Sequence, residues 1–404
     1  MSLFAAVELA PRDPILGLNE QFNADPNPAK VNLGVGVYFD ESGKLPLLAC
    51  VQAAEQQLND AHKPRGYLPI DGIAAYDKAV QHLVFGADSP LLAAKRVATV
   101  QALGGTGGLK LGADFLKKLN PGATVLISDP SWENHRALFT NAGFPVATYA
   151  YYDADARGVK VDAMLADLAA AAPGSIVVLH ACCHNPTGYD ISPADWERVI
   201  AVVKAGGLTP FLDLAYQGFG DGIKEDGAVV RQFIAAGIDF LVATSFSKSF
   251  SLYGERVGAL SVVCGSADEA ARVLSQLKVT IRTNYSNPPT HGAQVVATVL
   301  DSPALRAQWE AELAGMRLRI QQMRSLLQGK LTARLQAAGI AQDFSFITRQ
   351  RGMFSYSGLS QAQMARLRSE FGVYGVDSGR ICVAALNTRN IDYVVDAMAS
   401  VIQR

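Results

Sequence analysis

The sequence has almost no net charge: 36 basic residues stand against 37 acidic ones, a formal −1 over 404 residues. That balance removes the basic excess by which a chain advertises nucleic acid or an acidic membrane surface. Cysteine is sparse, at five: Cys50, Cys182, Cys183, Cys264 and Cys382. An odd, thin set in a long chain does not read as a disulfide framework. No uncharged apolar run reaches membrane-spanning length. The first residues, Met-Ser-Leu-Phe-Ala-Ala-Val-Glu, carry no basic region, and Glu8, Pro11, Arg12 and Asp13 interrupt any signal-like stretch. The expectation is a reducing, cytoplasmic compartment. Internal repeats and low-complexity tracts are also lacking.

What is present is an ordinary globular composition, 49% apolar and 18% charged with 36 glycines, long enough for a large core and more than one domain. Short β-rich runs alternate with helical patterns. Strands are expected at 96–101, 124–128, 175–180, 209–214, 240–245 and 258–264. Several are apolar throughout, as in a sheet covered on both faces. Helices are expected between them, for example at 108–119 and 193–204. This alternation predicts an α/β fold with a mostly parallel sheet flanked by helices. Leu305, Trp309, Leu313, Met316, Ile320, Met323, Leu327, Leu331 and Leu335 recur at spacings of three and four. They predict one long amphipathic helix from about Pro303 to about Gly339. Beyond it lie strand candidates at 353–356 and 381–385 and helices from Ser360 and Asn390.

The residues that bear chemistry cluster where strands end, the place open α/β folds bind ligands. Leu103-Gly-Gly-Thr-Gly-Gly-Leu109 lies between a strand and a helix, and is either a tight turn or a cradle that lets an anion approach backbone N–H groups. It is neither a dinucleotide fingerprint nor a P-loop. In Asp129-Pro-Ser-Trp-Glu-Asn-His135, Trp132 either packs or stacks on a flat ligand. His135 either carries a proton or orients a carboxylate. His180-Ala-Cys-Cys-His-Asn-Pro-Thr-Gly188 invites a metal, but its adjacent cysteines lack zinc spacing, and no metal is expected. Its Asn-Pro-Thr-Gly is a turn that presents Asn185. Asp213 interrupts the apolar strand of Pro210-Phe-Leu-Asp-Leu-Ala-Tyr-Gln-Gly-Phe219. A charge there needs a partner, either a salt bridge or the cationic ring nitrogen of a cofactor. Lys248, in Ser245-Phe-Ser-Lys-Ser-Phe-Ser-Leu-Tyr-Gly-Glu-Arg256, is either a solvated charge or a desolvated amine able to form a Schiff base. Arg256 and the hydroxyls of Ser245 and Ser247 suit a phosphate, and the separated Arg282 and Arg380 suit carboxylates.

Taken together these motifs, in this order from Asp13-Pro-Ile-Leu to Gly379-Arg380, resemble the class I aminotransferases, in the subgroup of the aspartate and aromatic-amino-acid enzymes. The resemblance implies the fold type I architecture of pyridoxal-phosphate enzymes, with a large domain over 46–310 and a small one built from 1–45 and 311–404. It also implies a homodimer with shared active sites. By the same resemblance Lys248 holds pyridoxal 5′-phosphate as a Schiff base, and Asp213 pairs with its ring nitrogen, with His135 behind. Asn185 and Tyr216 reach the ring's 3′ oxygen and Trp132 stacks on the ring. Gly105, Thr106, Ser245, Ser247 and Arg256 surround the phosphate, with Tyr67 reaching it from the neighbouring subunit. Arg380 clamps the substrate α-carboxylate, Arg282 of the neighbour binds a distal carboxylate, and Gly36 lies near the substrate. Lys248, Asp213 and Tyr67 are the catalytic set.

Amino acids and 2-oxo acids are the implied substrates. Pro69, Ser249, Ser251, Gly254, the stretch Val-Phe-Gly-Ala-Asp-Ser-Pro90 and Trp-Glu-Asn-His135 resemble bacterial aromatic-amino-acid aminotransferases. Gly-Val-Gly-Val-Tyr38 resembles the aspartate enzymes, which remain the alternative. A silent scaffold, or a cofactor enzyme of other outcome such as a β-lyase or decarboxylase, is the reading from another class; the complete residue set argues against both.

Overall fold

The computed structural model describes residues 2–13 and 15–403. The chain divides into two compact units, one of residues 45–320 and 349–352, the other of 1–44, 321–348 and 353–404.

The first unit is built on a seven-stranded sheet. Its strands are β1 (Val97–Leu103), β2 (Val125–Asp129), β3 (Val146–Ala150), β4 (Ile176–His180), β5 (Thr209–Leu214), β6 (Leu241–Ser245) and β7 (Val257–Val263). Their spatial order is β1-β7-β6-β5-β4-β2-β3. Neighbours are parallel except at β7, which runs antiparallel to both β1 and β6. The apolar runs form strands because both faces are covered: every residue of β4, β6 and β7 is buried. The expected α/β class with a mixed, mostly parallel sheet is therefore what the chain adopts.

This topology gathers the chemistry. The parallel strands β2, β4, β5 and β6 end on one edge, and β1 shares their direction because both flank β7. Since β7 is reversed, its beginning lies at that same edge, with Val257 opposite Leu103 and Gly258 opposite Ser245. Arg256 is thereby delivered beside the glycine run, and its carbonyl accepts the Gly104 N–H at 2.9 Å.

The glycine run itself corrects an expectation. The helix after β1 starts at Gly104, and extends to Leu119. Glycine is a poor helix former, but close packing on the sheet requires it. A Cβ on Gly108 would stand 2.8 Å from the Ala259 carbonyl oxygen, and one on Gly112 2.4 Å from Phe211 Cζ. Ser192 caps the helix Pro193–Ala205 by accepting the Asp195 N–H.

In the second unit, Val31–Asn32 pairs in parallel with Val373–Tyr374, and Phe354–Tyr356 pairs antiparallel with Arg380–Cys382. The strand expected over 381–385 stops at Cys382, because its partner is only three residues long, and Val383–Ala385 turns as a 3-10 helix. The helix Gln361–Phe371 begins with a capping box between Ser360 and Gln363. The long helix spans Pro303–Ala337, with its first half in one unit and its second half in the other. The whole predicted stripe from Leu305 to Leu335 is buried.

Candidate active site

Asp213, the penultimate residue of β5, pairs in register with His180 of β4 and is buried. Its Oδ2 lies 3.0 Å from Nε2 of the fully buried His135. Burial pushes the Asp213 carboxyl upward, but the His135 hydrogen bond, with His135, His180 and Lys248 close by, outweighs it and holds the group below its ordinary value. An ionised Asp213 only accepts, so His135 Nε2 carries the hydrogen. Nδ1 lies 2.9 Å from the Ser131 hydroxyl, in hydrogen-bond contact. Trp132 meets the His135 ring edge-on at 5.2 Å.

His180 and His184 extend this array. The His180 ring lies 5.0 Å from His135 and 4.3 Å from His184, and His184 is stacked on Tyr151 at 3.9 Å. Burial, with His135 adding to it, drives His180 down to about 3; burial likewise holds His184 well below the usual histidine range. Both rings are neutral near pH 7. His184 is fixed by the Ser128 and Thr187 hydroxyls, each at 2.9 Å, immediately before Asn185.

Lys248 sits in the turn after β6, with its Nζ 4.9 Å from the centre of the Tyr216 ring. Burial lowers its amine from 10.5 to about 8, Asp213 opposes that shift and Arg256 adds to it. Lys248 keeps part of its surface exposed, and its lowered amine together with the nearby Tyr216 ring argues against a fully solvated surface charge.

On the far side of the turn is an anion cradle. The helix from Gly104 has no side-chain cap and no acid in its first turn, so the N–H groups around Gly105 and Thr106 are open to an anion. A Cβ on Gly104 would stand 2.5 Å from Arg256 Nη2, and one on Gly105 3.1 Å from the Ser245 Cβ. Arg256 Nη1 reaches the Tyr253 carbonyl at 2.8 Å and Ser247 Oγ at 3.4 Å. Ser245 and Ser247 are both buried.

The structure thus brings together Lys248, Asp213, His135, Trp132, Tyr216, Ser245, Ser247, Arg256, Gly105 and Thr106 at one sheet edge, with Asn185 on the adjoining turn. Tyr67 and Arg282 belong to the same unit but are exposed, Tyr67 by 96%. Arg282 holds the Ser286 hydroxyl. Gly36 and Arg380 lie in the other unit. There the Arg380 guanidinium sits 4.3 Å over the Phe354 ring and donates to the Gly34 carbonyl at 2.7 Å. A Cβ on Gly36 would come within 2.7 Å of the same ring.

Sequence reasoning did not single out Ser131, His184, Asp190 or Asp226. Asp190 accepts the N–H groups of Cys183 and His184, both at 2.8 Å. Asp226 accepts those of Gly218, Gly220 and Asp221 at 2.8–2.9 Å. The available signal was weak: one acid in a loop after Asn-Pro-Thr-Gly, and one at the end of the short polar helix Ile223–Asp226. Two groups of potential metal donors occur among the described residues, His135–His180–Asp213 and Cys182–Cys183–Asp226. The thiols of the latter are pushed up, Cys182 to about 12 and Cys183 well above the usual range. They are protonated and poor ligands.

Comparison with known proteins gives the family. Residues 28–398 match the family described as aminotransferase class I and II. An aspartate aminotransferase of Pseudomonas aeruginosa is 64% identical over 402 residues, covering 100% of both chains. The structure of an aromatic-amino-acid aminotransferase from Burkholderia pseudomallei, covalently bound to pyridoxal phosphate, superposes with a TM-score of 0.95 at 67% identity, covering 99% of this chain and 100% of that one. An aromatic amino acid aminotransferase from Psychrobacter sp. B6, cocrystallised with aspartic acid, gives 0.96 at 45% identity over 100% of both chains. With the motifs in order along the sequence and the site assembled at one sheet edge, the chain belongs to the class I and II aminotransferases.

Proposed function

We propose that this enzyme moves the amino group of aromatic and dicarboxylic L-amino acids to 2-oxoglutarate by a ping-pong cycle, with pyridoxal phosphate as cofactor. The observation that carries this reading is Lys248: a lysine with its amine lowered to about 8, set between an ionised buried carboxylate and an anion cradle. The residues present fit the cofactor. The uncapped helix start at Gly105 and Thr106, with Ser245, Ser247 and Arg256, suits its phosphate; Asp213 suits its ring nitrogen; Asn185 and Tyr216 suit its 3′ oxygen; Trp132 suits the ring face.

Bound there, pyridoxal phosphate supplies an electron sink for the substrate Cα and carries the amino group between the two half-reactions. Asp213, kept ionised by His135, retains the proton on the ring nitrogen. Lys248 would hold the cofactor, and its neutral amine would take the proton from the substrate Cα. Its lowered basicity matters because only the neutral amine accepts a proton. Arg380 binds the α-carboxylate with Gly36 alongside. Tyr67 and Arg282, exposed in this chain, serve the site of a second copy. On this reading the active unit is a homodimer, which the exposed Leu3, Phe4, Val7 and Leu9 support. A cytoplasmic location accords with five free cysteines.

The aromatic preference rests on Pro69, Ser249, Ser251 and Gly254, and on the likeness to aromatic enzymes, one of them cocrystallised with aspartic acid. Arg282 meets a distal carboxylate and swings aside for a ring. The Pseudomonas relative's name favours the second reading, an aspartate aminotransferase converting aspartate and 2-oxoglutarate to oxaloacetate and glutamate. The test is kcat/KM for phenylalanine, tyrosine and aspartate, alongside the change of the visible band on adding each amino acid. Comparable values are expected; a preference for aspartate of about a hundredfold or more refutes the aromatic reading. A band that no amino acid alters refutes transamination.

A further inference from the structure

The turn that presents Asn185 is closed over a carboxylate. Cys183 has φ +51, so its N–H and that of His184 converge on one point, the concave arrangement of successive amides that binds anions. Asp190 fills it: Oδ2 accepts from Cys183 and Oδ1 from His184, both at 2.8 Å. Beyond Asn185 the chain is braced again. Gly188 N–H donates to the His184 carbonyl at 2.8 Å, and Arg351 N–H to the Gly188 carbonyl at 2.6 Å. The peptide entering Asn185 therefore takes its direction from Asp190.

We propose that Asp190 is a positioning residue: its carboxylate orients the Cys183–His184 backbone so that the Asn185 amide meets the 3′ oxygen of the cofactor ring. This rests on the cofactor reading above. Asparagine in place of Asp190 has one acceptor for two N–H groups and turns an NH₂ donor toward the other. The backbone must rotate to relieve that donor–donor contact, and Asn185 rotates with it. The ring oxygen, having lost a donated hydrogen bond, becomes more basic.

The experiment compares wild type, Asp190→Asn, Asn185→Ala and the double variant, with pyridoxal phosphate as probe and no substrate. The readouts are its dissociation constant, the pH midpoint of its visible band and the thermal midpoint of each protein. Asp190→Asn is expected to weaken cofactor binding by about 10–100-fold, the effect of losing one hydrogen bond to a charged acceptor. It should also raise the pH midpoint, in the same direction as Asn185→Ala. In the Asn185→Ala background the same change should add less than about twofold, because the route through Asn185 is already cut. Unchanged binding and midpoint in Asp190→Asn, or an equal further shift in the double variant, overturns the inference and leaves Asp190 a merely structural acid. If Asp190→Asn does not fold, Asp190→Glu is read by the same criteria, since it keeps the charge and both acceptors but displaces them by a methylene. A wild type that develops no visible band with pyridoxal phosphate sinks the cofactor reading and this inference together.

Discussion

In cofactor-free protein the amine of Lys248 should titrate at about 8 rather than at the ordinary lysine value of 10.5. The consequence is large. At pH 7 an amine of pKa about 8 is roughly one-tenth neutral, against about one part in 3000 for an unperturbed lysine, a gain of about 300-fold in nucleophile. Burial is the main cause, so the gain survives salt; Asp213 works against it and Arg256 with it. The signs of two perturbations follow. Asp213→Asn removes the carboxylate that favours the charged amine and should lower the midpoint by roughly one unit. Arg256→Gln removes a neighbouring cation and should raise it by a similar amount. The assay is the rate at which cofactor-free protein captures pyridoxal between pH 6 and 10. Pyridoxal carries no phosphate, so no added anion biases the lysine. A rate that levels off above pH 8 and moves oppositely in the two variants supports the electrostatics. A rate still climbing at pH 10, or two variants moving the same way, refutes them.

Packing and proton linkage offer further checks. Gly112→Ala would place its Cβ 2.4 Å from Cζ of the fully buried Phe211. It should cost about 1–3 kcal/mol by overpacking, read as a lower urea midpoint at unchanged slope; an unmoved midpoint would show that the ring has room. Trp309 donates to the Ser249 carbonyl at 2.7 Å, just after Lys248, while stacking on Phe250 at 4.7 Å. Trp309→Phe keeps the stack and loses the bond, so about 1 kcal/mol of stability should go; equal stability in chemical denaturation would contradict this. Asp77 is raised from 3.8 to about 9 by burial and by Asp71, with Lys278 opposing, and its Oδ1 is buried with no hydrogen-bond partner among the described residues. A raised acid means the folded chain keeps a proton that the unfolded chain releases. The associated stability is full below pH 3.8 and is lost as pH rises toward 9. Asp77→Asn should therefore be more stable than wild type at pH 8, by on the order of a few kcal/mol, with the advantage shrinking toward pH 4. Denaturant midpoints that differ equally at both pH values would refute the linkage.

Much of this was legible in the chain because it is local. Strand β5 lies where its apolar run is, Thr209–Leu214, and the long helix follows its buried stripe. The edge strand Val146–Ala150 was missed although Val-Ala-Thr-Tyr-Ala is β-prone; at the edge it pairs only with β2 and buries one residue, Tyr149. The helix start at Gly104 was also hidden, because glycine's weak propensity points to a turn and only the close approach to the sheet reverses that. Asp190 and Asp226 escaped because an acid in a loop or at the end of a short polar helix looks solvated until its backbone donors are seen.

Fold class, the order of the strand-end motifs and the candidate residues could be read along the chain, since hydrophobic periodicity and motif chemistry are written within short spans. Tertiary structure alone decided which of those residues meet. His135 and Asp213 touch across 78 positions, and Arg256 reaches the glycine run only because β7 is reversed. Lys248 is an ordinary turn lysine in the chain; its low pKa exists only once the sheet edge removes its water and sets Asp213 and Arg256 around it. Desolvation and Coulomb fields depend on distance in space, which spacing along a chain does not encode.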